Sequence, residues 1–451
     1  MKYAIIMAAG KGTRMKSDLP KVMHKVCQTT MIDHLVYSAK EANADRVISI
    51  VGYGHEIVAS AMEGKCEFAL QMPQLGTAHA VMQVKQLENE KGKTLVINGD
   101  TPCISPATLA SLYDELDDCK MAVLSAKPED ASAYGRIVKD ENGFIKKIVE
   151  YKDANEEERK ITEINTGIYG FDNEVLFEAL KEVTNNNAQN EYYITDLVEI
   201  IKSKGHNVKA VLASDNDEVA GINDRVELAR ANKYMQKVIN NKLMVEGVTI
   251  INPESTYISR EAKIERDVTI YPNVYIEGNS YIKENTKILP QTFIVNGKVG
   301  KNCVIDSSHV IDSEIKDDCH IGPYAHFRMH SVVEDKNRIG NFVEFKNTHF
   351  GYDSRCAHLT YLGDSDVGSK VNIGCGVVTV NFDGKHKFRT TIKDGAFIGS
   401  NVNLIAPITV GQNAVVAAGT TANHDVEDGV MAIGRVQQEN KPGYGIKYKN
   451  K

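Results

Sequence analysis

A glycine-containing turn near the N-terminus carries the first side chains that could do chemistry. Residues 8–12 end a short apolar run, and Arg14 and Lys21 follow them. Backbone N–H groups of such a turn can surround phosphate oxygens, and the two cations can neutralise a triphosphate. The spacing fits neither a Walker loop nor a dinucleotide fingerprint, because the Lys-Ser/Thr pair and the third glycine are missing. From these residues alone, a tight turn with solvated basic side chains remains equally possible.

The next candidate is a carboxylate at the end of a predicted strand. Residues 95–99 form an apolar run that leads directly into Asp100. Ligands of open α/β sheets bind at the carboxyl ends of strands, where a carboxylate is well placed to hold Mg²⁺ together with phosphates. The residue type and its position therefore predict a site for a divalent cation with bound phosphates.

In the second half of the chain, His358 is the residue best suited to proton transfer. It stands in the segment 355–361 and is one of 13 histidines. Histidine titrates near neutral pH and can act as a general base, but a lone histidine is more often structural. The residue type therefore leaves both roles open.

The N-terminal half has the pattern of an α/β fold. Up to about residue 222, short apolar runs that predict buried strands alternate with longer helical patterns. The predicted strands are residues 4–9, 46–52, 95–99 and 121–125. This alternation is typical of a parallel or mixed sheet covered by helices.

A helical pattern then connects the two halves of the chain. Residues 224–246 place apolar side chains on one face, and Asn223 or Asp224 is positioned to cap the N-terminus. The predicted apolar face consists of Leu228, Ala231, Met235, Val238 and Ile239. We expect this segment to be a connecting arm helix.

Beyond the arm, aliphatic residues recur at every sixth position. One unbroken phase contains Ile258, Ile264, Ile270, Ile276, Ile282, Ile288 and Ile294. A period of six excludes a heptad and suits a parallel β-helix with three short strands in each coil of about 18 residues. Later phases contain Ile321, Phe327, Val333, Ile339 and Phe345, and then Ile392, Ile398, Leu404, Val410 and Val416. Residues 350–367 and 381–391 are expected to interrupt the coils on the functional face, and residues 435–451 to form a loosely held tail.

Composition restricts the function classes. At 451 residues the chain is too long for one ordinary core, so two domains are expected. A net charge of -7 gives no basic surface to attract nucleic acid, and no stretch approaches the ~20 apolar residues of a membrane span. The cysteines form no CxxC pair and fit free thiols in a reducing cytosol. We therefore expect a soluble cytoplasmic protein without a stable membrane association.

Further polar positions complete an ordered set of motifs along the chain. They are Gln71, Gly76-Thr77, Tyr134-Gly135-Arg136, Glu150, Asn165-Thr166-Gly167 and Asn223, followed by residues 341–346 and 358–361. In this order, residues 1–225 resemble sugar-nucleotide pyrophosphorylases. The whole chain resembles the family of bifunctional N-acetylglucosamine-1-phosphate uridyltransferases/glucosamine-1-phosphate acetyltransferases.

The resemblance implies the fold class and the domain limits. Residues 1–225 would be a Rossmann-like α/β nucleotidyltransferase domain, and residues 226–250 a helical linker arm. Residues 251–451 would be a left-handed parallel β-helix of hexapeptide repeats with a C-terminal tail.

The resemblance also implies roles in the N-terminal domain. UTP and UDP-N-acetylglucosamine would contact Ala8, Ala9, Gly10, Lys21, Gln71, Gly76, Thr77, Gly135, Glu150, Asn165 and Asn223. Arg14 and Lys21 would act in catalysis, and Asp100 and Asn223 would hold one Mg²⁺. Without the resemblance, Asn165 and Glu150 are more simply explained as a turn cap and a solvated strand edge.

For the β-helix, the resemblance implies an acetyltransferase site with His358 as the general base. The sugar phosphate would contact Arg328, Lys346, Tyr361, Asn372 and Lys387, and acetyl-CoA would contact Cys375, Asn381, Phe382, Ser400, Ala418 and Arg435. The chain departs from the family pattern at three places. Met329-His330 replaces Pro-Gly and so changes the turn that aims Arg328, Cys375 stands where alanine is common, and Phe382 stands where tyrosine is common.

The implied function is synthesis of UDP-N-acetylglucosamine, a precursor of bacterial cell-wall polymers. Acetyl-CoA would acetylate glucosamine 1-phosphate, and UTP would then donate a uridylyl group with release of pyrophosphate. A homotrimer with acyl sites between subunits is also implied. Two alternatives are a pyrophosphorylase whose β-helix is only an oligomerisation or regulatory scaffold, and a non-catalytic assembly subunit. The histidine among cations argues against the scaffold, and the residues Arg14, Lys21 and Asp100 argue against the non-catalytic subunit.

Overall fold

The protein consists of two compact units. The computed structural model describes residues 1–131, 134–152, 154–187 and 189–448, and the chain divides into Met1–Met235 and Gln236–Lys451. Each unit has its own buried apolar core. The predicted fold class, an α/β nucleotidyltransferase domain followed by a parallel β-helix, is confirmed.

The first unit is a mixed sheet covered by helices. Its strands are β1 (Lys2–Ala8), β2 (Lys25–Val26), β3 (Thr29–Thr30), β4 (Arg46–Val51), β5 (Glu67–Leu70), β6 (Lys93–Asn98), β7 (Met121–Ala126), β8 (Arg136–Lys139), β9 (Ile145–Val149), β10 (Ile164–Asp172) and β11 (Val208–Leu212). Its helices are α1 (Met31–Glu41), α2 (His55–Ala61), α3 (Thr77–Val81), α4 (Pro106–Glu115), α5 (Glu156–Arg159), α6 (Asn173–Leu180) and α7 (Leu197–Ser203), and α8 (Arg225–Val245) crosses into the second unit.

The order of strands in the main sheet is β11-β7-β10-β6-β1-β4-β5. Strand β10 runs antiparallel to β6 and β7, whereas β6, β1, β4 and β5 are mutually parallel. The carboxyl ends of these four parallel strands therefore meet at one edge. The four predicted strands correspond to β1, β4, β6 and β7, and the mixed sheet is confirmed.

Strand β1 shows why its sequence is apolar without interruption. Tyr3 and Ile5 pack into the core on one face of the sheet, while Ala4 and Ile6 pack into the core on the other. A strand covered on both faces cannot alternate between apolar and polar residues. The strand is apolar without interruption because side chains on both of its faces are buried.

Helix α8 begins where the sequence predicted. The Asp224 Oδ1 atom accepts hydrogen bonds from the backbone N–H groups of Val226 and Glu227 at 2.8 and 2.9 Å and caps the helix. Val238, which was expected on the buried face, is instead 43% exposed. The buried arc is displaced because Gln236 and Asn240 are buried and donate to backbone carbonyls of residues 253–256.

The second unit is a stack of short parallel strands. They are β12 (Thr249–Ile250), β13 (Tyr257–Ile258), β14 (Lys263–Ile264), β15 (Thr269–Ile270), β16 (Tyr275–Glu277), β17 (Tyr281–Ile282), β18 (Lys287–Ile288), β19 (Phe293–Val295), β20 (Lys298–Val299), β21 (Val304–Ile305), β22 (His309–Ile311), β23 (Glu314–Ile315), β24 (His320–Ile321), β25 (His326–Arg328), β26 (Val332–Val333), β27 (Arg338–Phe350), β28 (Arg355–Val367), β29 (Asn372–Ile373), β30 (Val378–Val380), β31 (Thr390–Ile392), β32 (Phe397–Ile398), β33 (Asn403–Ile405), β34 (Ile408–Val410), β35 (Val415–Val416), β36 (Thr421–Ala422) and β37 (Met431–Ala432).

Each of the first strands pairs with the strand three places further along the chain, which is the pattern of a β-helix with three strands per coil. The predicted isoleucines point inward, and the most exposed of them, Ile264, is only 8% exposed. The predicted solenoid is confirmed.

The expectation that residues 350–367 interrupt the coils is wrong. Strands β27 and β28 pair in register, with Ile339 opposite Cys356 and Phe350 opposite Val367. The six-residue pattern did not reveal this coil for two reasons. Cys356 occupies an inward position that is usually aliphatic, and the inward residues Leu362 and Val367 are five residues apart instead of six. The second predicted interruption is present, since residues 381–389 leave the coil between β30 and β31.

The end of the chain is exposed. Residues 433–446 have exposed side chains, as expected of a loosely held tail, and the last predicted tail residues, 449–451, lie outside the described residues. Within the described part of the chain, no helix combines the length and apolar character needed to cross a membrane.

Candidate active sites

The first candidate site is a cavity at the carboxyl ends of the parallel strands in the first unit. Its volume is about 390 Å³. The predicted residues that line it are Ala8, Ala9, Gly10, Lys21, Gln71, Gly76, Thr77 and Asp100. Apart from Lys21, which begins a 3-10 turn at Lys21–Met23, they come from the ends of β1, β5 and β6 and from the start of α3, so the parallel sheet brings them together.

Four predicted polar residues form one hydrogen-bonded group at this cavity. The Lys21 ammonium donates to Asp100 Oδ2 at 2.7 Å and to Asn223 Oδ1 at 2.9 Å. Arg14 Nη2 donates to the same Asn223 oxygen at 2.8 Å. The chain segment before α8 reaches this place because the Ile222 N–H donates to the Asp100 carbonyl. Two cations and two oxygen ligands thus meet where a triphosphate and a metal would be needed.

Hydrogen bonds hold another part of the cavity wall, which Gln71, Gly76 and Thr77 line. Gln71 is 3% exposed, and its Nε2 donates to the Gly76 carbonyl at 2.9 Å. Gly76 has φ +113°, and a Cβ there would lie 2.5 Å from the Tyr192 carbonyl oxygen. The Thr77 hydroxyl accepts a hydrogen bond from the Ile194 N–H at 3.0 Å. The glycine is required because two backbone segments approach each other at this point.

Gly135, Glu150 and Asn165 form a separate group near β8, β9 and β10. The Asn165 N–H donates to the Gly135 carbonyl at 2.9 Å, and its side chain donates to the buried Tyr169 hydroxyl at 2.9 Å. A Cβ on Gly135 would lie 3.4 Å from Glu150 Oε1. Asn98, which lines the cavity, donates to the Thr166 carbonyl at 3.3 Å and connects this group to the cavity.

Sequence reasoning missed three polar residues of the cavity wall. Asn98, Gln74 and Glu191 also line the cavity, and Gln74 donates to the Ala9 carbonyl. Asn98 could have been found, since it ends the same predicted strand that leads to Asp100. Gln74 and Glu191 lie in connecting segments with no pattern of their own.

The second candidate site is built around His358 in the β-helix. Asn341 and His358 are opposite each other in β27 and β28, and Asn341 Oδ1 lies 3.1 Å from His358 Nδ1. An amide oxygen can only accept, so Nδ1 carries the proton in this arrangement and Nε2 keeps its lone pair. The imidazole is exposed. Its geometry therefore suits a general base that faces a ligand.

A cationic cluster lies in the same coils. Arg328 and Lys346 are opposite each other in β25 and β27. The Lys346 ammonium lies 3.2 Å from Asp364 Oδ2, and Arg328 Nε donates to Glu344 Oε1 at 2.8 Å. The neighbouring Lys346 side chain, through their close contact and its charge, lowers the pKa of Lys387. The cluster is suited to hold an anionic phosphate.

Most predicted acetyl-CoA residues follow one edge of the β-helix. Cys375, Ser400 and Ala418 stand on successive coils beyond His358, and Arg435 follows the last strand, β37. The Asn401 N–H donates to the Cys375 carbonyl at 2.7 Å, and the Gly419 N–H donates to the Ser400 carbonyl at 2.8 Å. The Arg435 guanidinium donates to the Ala418 carbonyl. We call His358, Cys375, Ser400, Ala418 and Arg435 the edge row.

The remaining predicted residues divide between the cluster and other positions. Asn381 donates to Asp364, and Phe382 is 54% exposed and bridges to Lys387 within the loop 381–389. Asn372 lies on a different row, between Arg355 in one coil and Phe397 in the next. The structure therefore brings Asn381 to the cluster and places Asn372 elsewhere on the coil.

The Met329-His330 departure has a clear structural meaning. Their φ angles are +56° and +62°, so both turn residues are left-handed. Proline is restricted to φ near −65° and could not occupy the first position of this turn. Arg328, which precedes the turn, is held by Glu344 in the next coil. The turn differs from the family pattern, and the ion pair is what orients Arg328.

Sequence reasoning assigned no role to three polar residues that contact the predicted site residues. They are Asn341, Glu344 and Asp364. The signal lay in the coil length. An offset of 17 residues aligns Asn341 with His358 and Glu344 with Tyr361, as the strand pairing shows. Reading the segments 341–347 and 358–364 as neighbouring coils would have identified these contacts.

Comparison with known proteins places the chain in a family. A nucleotidyl transferase family model matches residues 3–232. The chain is 51% identical to the bifunctional protein GlmU of Geobacillus thermodenitrificans, over 98% of this chain and 97% of the relative. It is 48% identical to bifunctional protein GlmU of Bacillus subtilis and 46% identical to that of Listeria monocytogenes, over 98% of each chain.

These relatives span nearly the whole chain, so both units have counterparts in them. A scaffold or a non-catalytic subunit does not fit a family of bifunctional enzymes, and the expected substrates, a nucleotide and acetyl-CoA, are supported at that general level. The chain therefore belongs to the GlmU family, and it is a bifunctional acetyltransferase and uridyltransferase of UDP-N-acetylglucosamine synthesis.

Proposed function

We propose that His358 is the general base of acetyl transfer. The observation that carries this proposal is the Asn341 Oδ1 contact at 3.1 Å, which assigns the proton to Nδ1 and leaves Nε2 as the base. The amine nitrogen of glucosamine 1-phosphate attacks the thioester carbonyl, its proton passes to Nε2, and the CoA thiolate leaves. The protonated imidazole then returns that proton to the thiolate.

The two substrates would approach the base from different sides. We propose that Arg328, Lys346, Tyr361, Asn372 and Lys387 bind the sugar phosphate, supported by Arg328 and Lys346 on adjoining coils and by Lys387 on the loop beside Lys346. Acetyl-CoA would lie along the edge row and contact Cys375, Asn381, Phe382, Ser400, Ala418 and Arg435. Asn372 lies on a separate row, between Arg355 and Phe397. For Asn372 to contact the sugar phosphate, the bound ligand or a second subunit would have to span the distance between that row and the cationic cluster.

Thiol release tests the base. Wild-type protein is incubated with acetyl-CoA and glucosamine 1-phosphate without UTP, and free thiol is followed with time. His358→Ala should lower the rate by about 100-fold or more. His349→Ala is the matched control, because His349 is also an exposed β-helix histidine and is held instead by Glu334. An equal effect of the two substitutions would contradict the proposal.

We infer that the first unit binds UTP and the sugar phosphate through the remaining predicted residues. Ala8, Ala9, Gly10, Gln71, Gly76 and Thr77 would contact the nucleotide, and Gly135, Glu150, Asn165 and Asn223 the N-acetylglucosamine side. The phosphate oxygen of the sugar attacks the α-phosphorus while pyrophosphate leaves, so the site must align the groups and balance negative charge. Arg14 and Lys21 would supply that charge.

Asp100 and Asn223 would hold one Mg²⁺. The donor set fits, because a carboxylate oxygen and an amide oxygen both point at one cation, the Lys21 ammonium. Within the described residues no group of three or more His, Cys, Asp or Glu could hold a metal, so phosphate oxygens and water would complete the coordination. A bound Mg²⁺ would neutralise charge on the phosphates.

Manganese binding tests this pair directly. Electron paramagnetic resonance measures Mn²⁺ binding to the protein with UTP. Asp100→Asn should abolish the bound signal, whereas Asp45→Asn should leave it unchanged, since Asp45 lies at the opposite end of β1 where it accepts from the Lys2 N–H. Retention of the signal in Asp100→Asn would remove this carboxylate from the metal site.

We further propose the domain limits 1–225, 226–250 and 251–451, a homotrimer, and a cytoplasmic location. Free cysteines support a reducing compartment. Exposed apolar residues beside the edge row, Tyr324, Phe342 and Leu359, support burial by another subunit. Analytical ultracentrifugation should give a mass of three chains, and Phe342→Glu should shift it toward one chain.

A further inference from the structure

One buried carboxylate, Asp364, contacts residues that are proposed for the two different substrates of acetyl transfer. Asp364 is 9% exposed and belongs to none of the residue sets named above for either substrate. Its Oδ2 atom accepts from the Lys346 ammonium at 3.2 Å and also from the Asn381 amide. Its Oδ1 atom accepts from the Asn347 amide at 2.7 Å. A buried carboxylate must be satisfied by such donors, and here all of them come from the acetyl-transfer region.

The partners of Asp364 belong to different halves of the proposed site. Lys346 is assigned to the phosphate of the acceptor, and it is itself buried, with 6% exposure. Asn381 is assigned to acetyl-CoA and stands at the neck of the loop 381–389, where its carbonyl accepts from the Phe388 N–H at 2.9 Å. Lys387, which is also proposed to bind the sugar phosphate, lies on the same loop. One carboxylate therefore fixes both a phosphate ligand and the base of the loop that contacts the donor.

Electrostatics reinforce this arrangement. Burial alone would raise the pKa of Asp364, but the hydrogen bonds from Asn347, Lys346 and Asn381 hold it below its usual value. The carboxylate is therefore charged at neutral pH and balances Lys346. Without it, Lys346 would be a buried cation beside Lys387 and would turn away from that like charge.

Asp364 could also serve only to stabilise its turn, but its burial and its ion pair with Lys346 argue against that role. Other β-helix turns also stack an amide on a carboxylate, for example Asn302 on Asp318 at 3.0 Å. Asp318 is exposed, and Asn302 is the side chain that donates to it within the described part of the chain. Asp364 differs because it is buried and bound to Lys346.

We infer that Asp364 is a positioning residue that couples the acceptor and donor subsites. It holds Lys346 at the phosphate and Asn381 at the acetyl-CoA loop in one arrangement, so that neither subsite is formed without the other. This inference rests on the proposed function of Lys346 and Asn381.

The test is Asp364→Asn in the full-length protein. The backbone of Asp364 has φ +49°, a left-handed conformation that asparagine adopts as readily as aspartate, so the change removes the charge and keeps the turn. We expect the KM values for glucosamine 1-phosphate and for acetyl-CoA both to rise, each about tenfold. The value of kcat should change by less than about threefold, because His358 is untouched.

The KM values separate positioning from stability. A variant that merely unfolds in part lowers the apparent kcat and leaves both KM values unchanged. Asp318→Asn is the matched control, since it alters the same kind of left-handed turn and carboxylate–amide contact away from the site. Asp364→Ser, which also removes the charge and does not rely on an amide, is the second variant if Asp364→Asn does not fold.

Two further variants show whether a negative result contradicts the coupling by Asp364 or the substrate assignments of Lys346 and Asn381. Lys346→Met should raise the KM for glucosamine 1-phosphate, and Asn381→Ala should raise the KM for acetyl-CoA. If either does not, the residue assignment itself is wrong. If both do and Asp364→Asn raises only one KM or neither, the site stands and the coupling by Asp364 is refuted.

Discussion

Replacing Gly76 by alanine tests how tightly the wall of the nucleotide cavity is constrained. Gly76 combines φ +113° with ψ 176°, a region essentially open only to glycine. A Cβ there would lie 2.5 Å from the carbonyl oxygen of Tyr192 and 2.7 Å from its nitrogen. Because both are backbone atoms, neither can turn aside as the end of a flexible side chain would.

The cost follows from two contributions. The backbone conformation alone costs an alanine about 1–3 kcal/mol. Moving Tyr192 also weakens two backbone hydrogen bonds, from its N–H to Leu75 at 2.8 Å and from the Ala78 N–H to its carbonyl at 2.9 Å. At about 1 kcal/mol for each bond, the free energy of unfolding should fall by about 3–5 kcal/mol in total. The unfolding midpoint of the first unit should then fall by about 10 °C.

Calorimetry of the intact protein measures this shift, and titration calorimetry measures UTP binding. Gly64→Ala is the matched control, because Gly64 also has a positive φ, +72°, but has nothing within 4 Å of the added Cβ. It should cost only about 1–2 kcal/mol and leave UTP affinity unchanged. Gly76→Ala should weaken UTP binding at least about tenfold, since the Gly76 carbonyl that holds Gln71 moves. Equal shifts for the two variants would refute the argument from close approach.

Three other predictions concern a cation, the β-helix core and a thiol. Lys21→Met should strengthen Mn²⁺ binding to the nucleotide-free protein, because the Lys21 ammonium occupies the oxygens proposed for the metal; a paramagnetic resonance titration that gave equal or weaker binding would contradict this. Phe345→Ala, at a fully buried ring, should lower the free energy of unfolding by about 3–5 kcal/mol, whereas Phe397→Ala, at a ring that is 49% exposed, should cost far less, as urea denaturation would show. Iodoacetamide should label Cys375 before Cys27, because Cys375 is half-buried whereas burial raises the pKa of Cys27 to about 12; peptide mass spectrometry reads the order, and acetyl-CoA should protect Cys375.

The sequence predicted the repetitive parts of the fold well because repetition averages out local exceptions. Seven isoleucines in one phase specify inward positions, and each was buried as expected. The coil through Cys356 was missed because a single five-residue step and a small thiol break the phase. Strand β10 was also absent from the predicted strands, since its sequence includes polar Asn165 and Thr166.

The candidate sites were predictable as sets of residues and less so as contacts. The carboxyl ends of parallel strands brought Asp100 and Lys21 together as the pattern indicated. By contrast, the partners of His358 and Lys346 depend on which residues stack one coil apart, and that register is set by tertiary pairing. Asp364 escaped notice for this reason, since nothing in its own segment distinguishes it from a turn residue.

The edge row runs along the axis of the β-helix, so its length is set by the number of coils that it crosses. Adjacent parallel strands lie about 4.8 Å apart, so the three steps from His358 to Ala418 along successive coils measure roughly 14 Å. A thioester donor that extended along this edge from the imidazole would have to span that distance to reach Arg435, whose guanidinium donates to the Ala418 carbonyl. Coil number, rather than pocket shape, would then select donors by length, and inserting or deleting one coil would change the length selected without altering any residue that touches the acetyl group.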